Sequence, residues 1–268
     1  MNKNKKVGIS LNIKILVATH KKYWMPDDSV YIPMQVGAEL NGDLEYQKDN
    51  IGDNISIKNP YFCELTAIYW AWKNLDADYI GLVHYRRYFT RKNCFNVAKR
   101  RKYILTGDEW ENILTSYPIV VPDKRKYYIE TNQSHYNHAH PRESLDFTKK
   151  IIQEIYPEYF NAFLNVMDKT WAHMFNMFVM RHDYYEEYCT WLFTILFLLE
   201  KKIDISHYNK YQARVFGFIS ELLLDVWLEK KGLLYKEQNV SFLEKQNWLV
   251  KGGNFLKRKF GDSNGTFI

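Results

Sequence analysis

The sequence predicts an α/β fold, with a parallel sheet in the first half and a mostly helical second half. Two observations lead there. The β-branched runs KILVAT (Lys14 to Thr19) and DYIGLV (Asp78 to Val83) are separated by a helical stretch opening at Asn59. A strand, helix, strand order builds a parallel sheet whose ligands gather beyond the carboxyl ends of its strands. From about residue 140 the apolar pattern follows helical spacing.

The elements follow in order. KILVAT is continuously apolar, as in a strand covered on both faces, and ends in the polar HKK. DDSVYIPMQVG holds a second extended piece, with Pro26 and Pro33 as breakers. LNGDLEYQKDNIGDNISIKNP is polar and turn-rich, which predicts a long surface loop. In NPYFCELTAIYWAWKN, Asn59 is placed to cap a helix, Pro60 suits its first turn, and Glu64 lies near the positive end of its dipole. Leu65, Ile68, Tyr69 and Trp72 then form its core-facing stripe. GDEWENIL predicts a short helix and PIVVP a strand. Beyond 140, LDFTKKIIQEIYPEYFNAFLNVMD, RHDYYEEYCTWLFTILFLLEKK and YQARVFGFISELLLDVWLEKKG predict helices, and TWAHMFNMFVMRH one more strand.

A chain of 268 residues with 46% hydrophobic and 25% charged residues buries a core and is not disordered. It divides into one domain over 1–235 and a basic, aromatic extension over 236–268. The net charge of +6 gathers in NKNKK, KRRK, KRK and LKRKF, which favours phosphate-bearing partners without choosing among them. Three cysteines without a CxxC pair suggest neither a disulfide framework nor a zinc site, and a cytoplasmic location is the default. The longest apolar run, WLFTILFLL, is about half of what a spanning helix needs. Phosphate loops, dinucleotide fingerprints, nucleophile elbows and HExxH are all absent, which removes support for kinase, dehydrogenase and hydrolase readings. HYNHAH brings His135, His138 and His140 together without an acidic or cysteine partner at ligand spacing, so a solvated loop is expected.

The strand DYIGLVHYRRYF delivers His84, Tyr85, Arg86 and Arg87 to the ligand edge. Arginine forks match phosphate oxygens, so this ending suits a diphosphate. The competing reading pairs an arginine with Glu64 or Asp53, and at least one of Tyr85 and Tyr88 is expected to pack in the core.

IGDNISIKNPYFCELTAIYWAWKN, DYIGLVHYRRYF, MFNMFVM, YCTWLFTIL and QARVFGFISELLLDVWL together resemble a bacterial glycosyltransferase family. That family was formerly catalogued as a domain of unknown function, and it occurs in capsule, exopolysaccharide and O-antigen gene clusters. The resemblance spans about residues 12 to 235. It implies a GT-A-like nucleotide-sugar-binding sheet with a mostly helical C-terminal half, and relatives that include UDP-galactofuranose-dependent galactofuranosyltransferases. GT-A enzymes usually hold a divalent metal on Asp-x-Asp at a strand end. Here that strand ends in His84-Tyr85-Arg86-Arg87, and the DAD at Asp76 to Asp78 precedes the strand, at the opposite edge. No metal ligand is therefore expected, with Arg86, Arg87 or His84 stabilising the departing UDP in its place; participation of a divalent cation stays open.

On this reading Thr19 and His20 lie beside the nucleotide base, and Asn59, Tyr61 and Glu64 face the sugar or its phosphates. An inverting transfer needs a general base, for which Asp146, Asp123 and Glu221 are the candidates. The partners expected are a UDP-sugar donor and a lipid-linked or oligosaccharide acceptor, with no nucleic acid. The segment NWLVKGGNFLKRKF could rest on the inner face of the cytoplasmic membrane. The alternatives are a transferase of the same fold using UDP-galactopyranose or UDP-glucose, and a nucleic-acid- or carbohydrate-binding protein without catalysis.

Overall fold

A computed structural model describes residues 11–245. The first strand, β1 (Ile13–Thr19), joins two cores because its side chains alternate across the sheet. Ile15 and Val17 enter a smaller apolar layer built around Trp110. Leu16 and Ala18 enter the larger, helical layer. β2 (Tyr31–Gln35) and the two-residue β3 (Gln47–Lys48) continue the sheet in parallel on one side of β1. The helical stretch that follows is broken into α1 (Asn59–Phe62) and α2 (Leu65–Asn74). β4 (Tyr79–His84) then pairs with the other side of β1, again in parallel, and Ala18 stands opposite His84. That register sets the ends of the two central strands side by side.

A hairpin leads from β4 into β5 (Arg87–Phe89). Next come α3 (Gly107–Leu114), which opens with a capping box of Thr106 and Glu109, and β6 (Ile119–Pro122). After β7 (Arg125–Lys126) the chain forms three helices, α4 (Asn132–Ala139), α5 (Arg142–Ile155) and α6 (Phe160–Asp168). It returns through β8 (Trp171–Ala172) to β9 (Phe178–Arg181), α7 (His182–Lys202), α8 (Val215–Lys231), β10 (Lys236–Gln238) and β11 (Val240–Phe242). Among the described residues the large sheet has nine strands, in the order β10-β6-β9-β4-β1-β2-β3, with β5 joining β4 to β11.

The sheet is mixed, not purely parallel, because β9 runs antiparallel to both β4 and β6. The excursion through α4 to α6 returns the chain to the carboxyl edge, so β9 enters from there and runs backwards. Gly81 makes the close pairing possible. A Cβ at that position would stand 2.7 Å from the Phe178 carbonyl oxygen.

Four further expectations are revised. The helix opening at residue 59 breaks at Cys63, whose φ of 53° ends α1 before α2 begins. Asn59 is the first residue of α1 and not its cap; its amide Nδ2 donates instead to the Cys63 carbonyl at 2.8 Å. HYNHAH lies mostly in α4, whose start is capped by the Thr131 hydroxyl accepting from the Ser134 amide. Residues 236–242 pair within the large sheet, so the boundary at 235 falls inside the domain. The remainder of the expected extension, including NWLVKGGNFLKRKF, lies outside the described residues. Among the described residues no helix is long and apolar enough to cross a membrane.

The stretch from Leu40 to Pro60 is more firmly built than a surface loop. Asp49, fully buried, accepts from the Gly37 and Ala38 amides at 2.8 and 3.0 Å and from the hydroxyls of Ser56 and Thr66 at 2.5 and 2.6 Å. One carboxylate thus ties the end of β2 to the start of α2, and with it the junction carrying Glu64. Removing it would strand the Gly37, Ala38 and Ser56 donors, while the Thr66 hydroxyl keeps the Cys63 carbonyl at 3.1 Å, and breaking a buried charge network costs about 3–5 kcal/mol. Urea denaturation of Asp49→Ala is expected to show a loss of that size, and a change within about 0.5 kcal/mol, typical of surface sites, would refute the anchoring role.

Candidate active site

A cavity of about 680 Å³ opens beyond the carboxyl ends of β1 and β4. One wall is the sheet edge with Thr19, His20, His84, Tyr85 and Arg86. The α1–α2 junction contributes Asn59, Cys63 and Glu64, and the opposite wall comes from α4 and α8.

Thr19 is buried, and its hydroxyl donates to the Lys21 carbonyl at 2.6 Å, closing the turn that presents His20 at the rim. His20 meets Tyr85 edge-on, with ring centres 5.4 Å apart. Partial burial, together with the charges of Arg86 and Lys21, lowers the His20 pKa and keeps it neutral near pH 7. Nε2–H of His84 donates to the Phe175 carbonyl at 2.7 Å, and desolvation lowers its pKa too, against the pull of Glu64. His84 is therefore a neutral imidazole. The expected role for it as a cation does not fit this environment.

The fixed charge is supplied by guanidinium groups. Arg86 lies over the Tyr85 ring at 4.8 Å and meets Glu244 at 3.1 Å. Arg87 is held between the rings of Phe175 (4.5 Å) and Phe242 (5.4 Å), without a salt bridge to Glu64 or Asp53 among the described residues. Two more arginines line this cavity, one from the basic KRK run and one from QARVFGFISELLLDVWL, and neither had been given a role at the site. Arg125 projects from β7, and Arg214 stands just before α8, its Nε donating to Cys63 Sγ at 3.1 Å. Burial, helped by Glu64, pushes the Cys63 thiol up to about 12, so it is a neutral acceptor and not a nucleophile.

Glu221 is the carboxylate of the α8 wall. Its Oε1 accepts from the Phe175 amide at 3.1 Å. Desolvation and the nearby Glu64 raise its pKa to about 7, against the opposing pull of that amide, Arg87 and Arg125. The other proposed bases stand elsewhere. Asp146 is half-exposed on α5, paired with Arg142 at 3.2 Å, and Asp123 is exposed beside β10; neither lines the cavity. Tyr61 is 41% exposed and also lies off the cavity wall. Tyr88 packs entirely in the core while Tyr85 reaches the site.

The turn Phe175–Asn176, which lies within the MFNMFVM stretch but had been given no role at the site, connects these groups. Both residues have positive φ, 81° and 51°. A phenylalanine there is strained at a cost of about 1–3 kcal/mol. Its backbone grips Glu221 and His84, and its ring carries Arg87. Asn176 Nδ2 donates to Glu64 at 2.8 Å, while its Oδ1 accepts from Ser220 at 2.8 Å. Within that stretch, the tolerance of asparagine for left-handed backbone is the local signal for the turn.

The histidines of α4 serve a carboxylate. Nδ1–H of His135 and of His138 donate to the two oxygens of Glu130, at 2.9 and 2.8 Å. Among the described residues no group of three or more His, Cys, Asp or Glu could hold a metal ion.

A family described as a domain of unknown function, DUF4422, matches residues 14–232. The chain belongs to the DUF4422 family. No curated protein matches it. A solved structure described as the apo form of WbbM, a bifunctional glycosyltransferase, superposes on this DUF4422 chain with a TM-score of 0.80 and 30% identity. The match covers 87% of this chain and 46% of that one, so the chain spans less than half of its structural relative.

The environment of Glu221 has a consequence independent of any activity. Its folded pKa of about 7 lies above the ordinary value near 4.5. Between those values the folded chain holds a proton that the unfolded chain has lost. Stability is therefore drained as pH rises through that window and levels off above it. Glu221→Gln escapes this penalty, so its stability relative to wild type should be greater at pH 8 than at pH 4, by roughly 1–3 kcal/mol. Parallel urea melts at the two pH values check this, and an equal difference at both would contradict it.

Proposed function

We propose that this DUF4422 chain is a glycosyltransferase that moves a hexosyl group, galactofuranosyl from UDP-galactofuranose, onto a lipid-linked or oligosaccharide acceptor of a surface polysaccharide such as capsule or O-antigen. One observation carries the proposal. The cavity at the carboxyl edge of the sheet combines fixed guanidinium groups with a carboxylate whose pKa is near 7, in a chain 30% identical to a glycosyltransferase structure. Because the match covers less than half of a bifunctional chain, it supports one transfer activity and not the pair. The galactofuranosyl donor rests on the resemblance carried by the sequence motifs.

In the reaction the acceptor hydroxyl oxygen attacks the anomeric carbon, the carbon–oxygen bond to the diphosphate breaks, and UDP departs with the electron pair. Charge develops on the leaving phosphate. Arg86 and Arg214, already oriented by Tyr85 and Cys63, meet it with little reorganisation. These cations take the place that an Asp-x-Asp-bound metal fills elsewhere, at a strand end that offers His84 and Tyr85 instead of carboxylates. The acceptor proton passes to Glu221, which near neutral pH is divided between the base that accepts it and the acid that returns it to water.

Release of UDP from UDP-galactofuranose, UDP-galactopyranose and UDP-glucose, with and without EDTA, tests the reading. Turnover of UDP-galactofuranose is expected to survive the chelator. Turnover restricted to another hexose would replace the donor, and loss in EDTA with recovery in manganese would overturn the metal-free mechanism. Absence of both binding and turnover across the panel would remove the glycosyltransferase reading. Arg214→Ala and Arg86→Ala should each lower kcat/KM about 100-fold, with the circular dichroism of the folded protein retained.

A further inference from the structure

The cavity has two chemically unlike halves. Its strand-edge half is cationic and suits a diphosphate. Its helical half is aromatic and is left unused by that role. The Tyr136 ring on α4 meets that of His140, the extended residue that ends the helix, at 4.9 Å, and Phe218 lies one turn before Glu221 on α8, so that pair shares a helix face. The His140 ring stacks on Phe218 at 4.0 Å and on Tyr211 at 5.9 Å, and Tyr211 and Phe218 meet at 5.1 Å. Gln212 locks the arrangement by joining the His140 ring at 3.0 Å and donating to the Ala139 carbonyl at 2.9 Å. The outermost ring, Tyr211, lines the cavity yet is 50% exposed.

A large ring held rigidly by its neighbours, with half its surface open to a polar cavity, is matched by a ligand that has an apolar face and a polar edge. The C–H face of a sugar ring has this character, with hydroxyl groups around its rim. Resting on the proposed function, we infer that the Tyr211–His140–Phe218 wall is the acceptor subsite, where the terminal sugar of the acceptor stacks on Tyr211 and turns a hydroxyl towards Glu221. The common face of Phe218 and Glu221 supplies the direction. A ring lying along this wall faces the carboxylate on one side and, beyond it, the guanidinium half that holds the donor. The Cys63–Arg214 contact lies between the halves, since Arg214 also stands 5.6 Å over the Phe218 ring. The acceptor is thereby chosen by the α4 and α8 side of the fold, and the donor by the strand ends.

The test is saturation-transfer NMR on the whole chain saturated with UDP, using octyl β-D-galactopyranoside, octyl β-D-glucopyranoside and octyl N-acetyl-β-D-glucosaminide as probes. At least one is expected to receive saturation at its ring protons more strongly than along its octyl chain. Tyr211→Ala should weaken binding of that probe about tenfold, and Tyr211→Phe should restore it, as stacking and not the hydroxyl requires. Where the probe is also turned over, Tyr211→Ala should raise its KM far more than the KM of the UDP-sugar. Saturation confined to the octyl chain, no binding by any of the three, or a Tyr211→Ala variant that binds as wild type does, would overturn the subsite. Failure of UDP itself to bind would instead strike the glycosyltransferase reading, so the two failures are separable.

Discussion

The candidate site depends on one strained turn. Phe175 and Asn176 adopt left-handed backbone that an aromatic residue rarely takes, and the conformation persists because its surroundings satisfy every group it exposes. The Phe175 amide fixes Glu221, its carbonyl fixes the tautomer of His84, and its ring holds Arg87. Asn176 draws Glu64 and Ser220 together from the α1–α2 junction and α8. Groups from four separate elements thus share one reference point. The strain is small beside the cost of leaving these groups unpaired, which is why the turn holds.

Electrostatics at the site follow from this arrangement. Glu64 comes close enough to disfavour ionisation of Glu221, and Arg87 and Arg125 offset that repulsion only in part. His20 and His84 are held below the ordinary histidine pKa by burial and by neighbouring arginines. Positive charge is left to groups that do not titrate near neutrality. The diphosphate site proposed above, built this way, would keep its charge over the whole range in which Glu221 changes from acid to base. The buried Asp49 plays a matching structural part on the other side of the cavity, fixing the junction from which Glu64 projects.

The sheet and most helices were legible because their signals are local. Continuous apolar runs mark β1 and β4, and helical spacing marks α2, α7 and α8. Thr19, His20, His84, Tyr85 and Arg86 were also legible as a group, since parallel strands bring their ends to a common edge. What was hidden depends on long-range contact. Glu221 could be named but not separated from Asp146 or Asp123, because only the packing of α8 against the turn at Phe175 withdraws it from water. Arg214, inside the QARVFGFISELLLDVWL stretch, carried no local sign of a site role and gains its place from the kink at Cys63, a positive φ in a sequence that reads as one helix. The histidines of HYNHAH lacked an acidic partner at ligand spacing, yet Glu130, just ahead of the helix, meets two of them. The antiparallel entry of β9 was equally hidden, since strand direction is decided by where the preceding helices deliver the chain.

The proposed function requires fixed cations to hold a nucleoside diphosphate without help from a metal. Calorimetric titration of UDP into the protein in EDTA, at rising salt and with an Arg86→Ala, Arg214→Ala double variant beside wild type, measures this directly. Binding of UDP to wild type in the chelator, weakening as salt is added and lost in the double variant, is the expected result. UDP that binds only when manganese is supplied, or that binds the double variant as tightly as wild type, would contradict it.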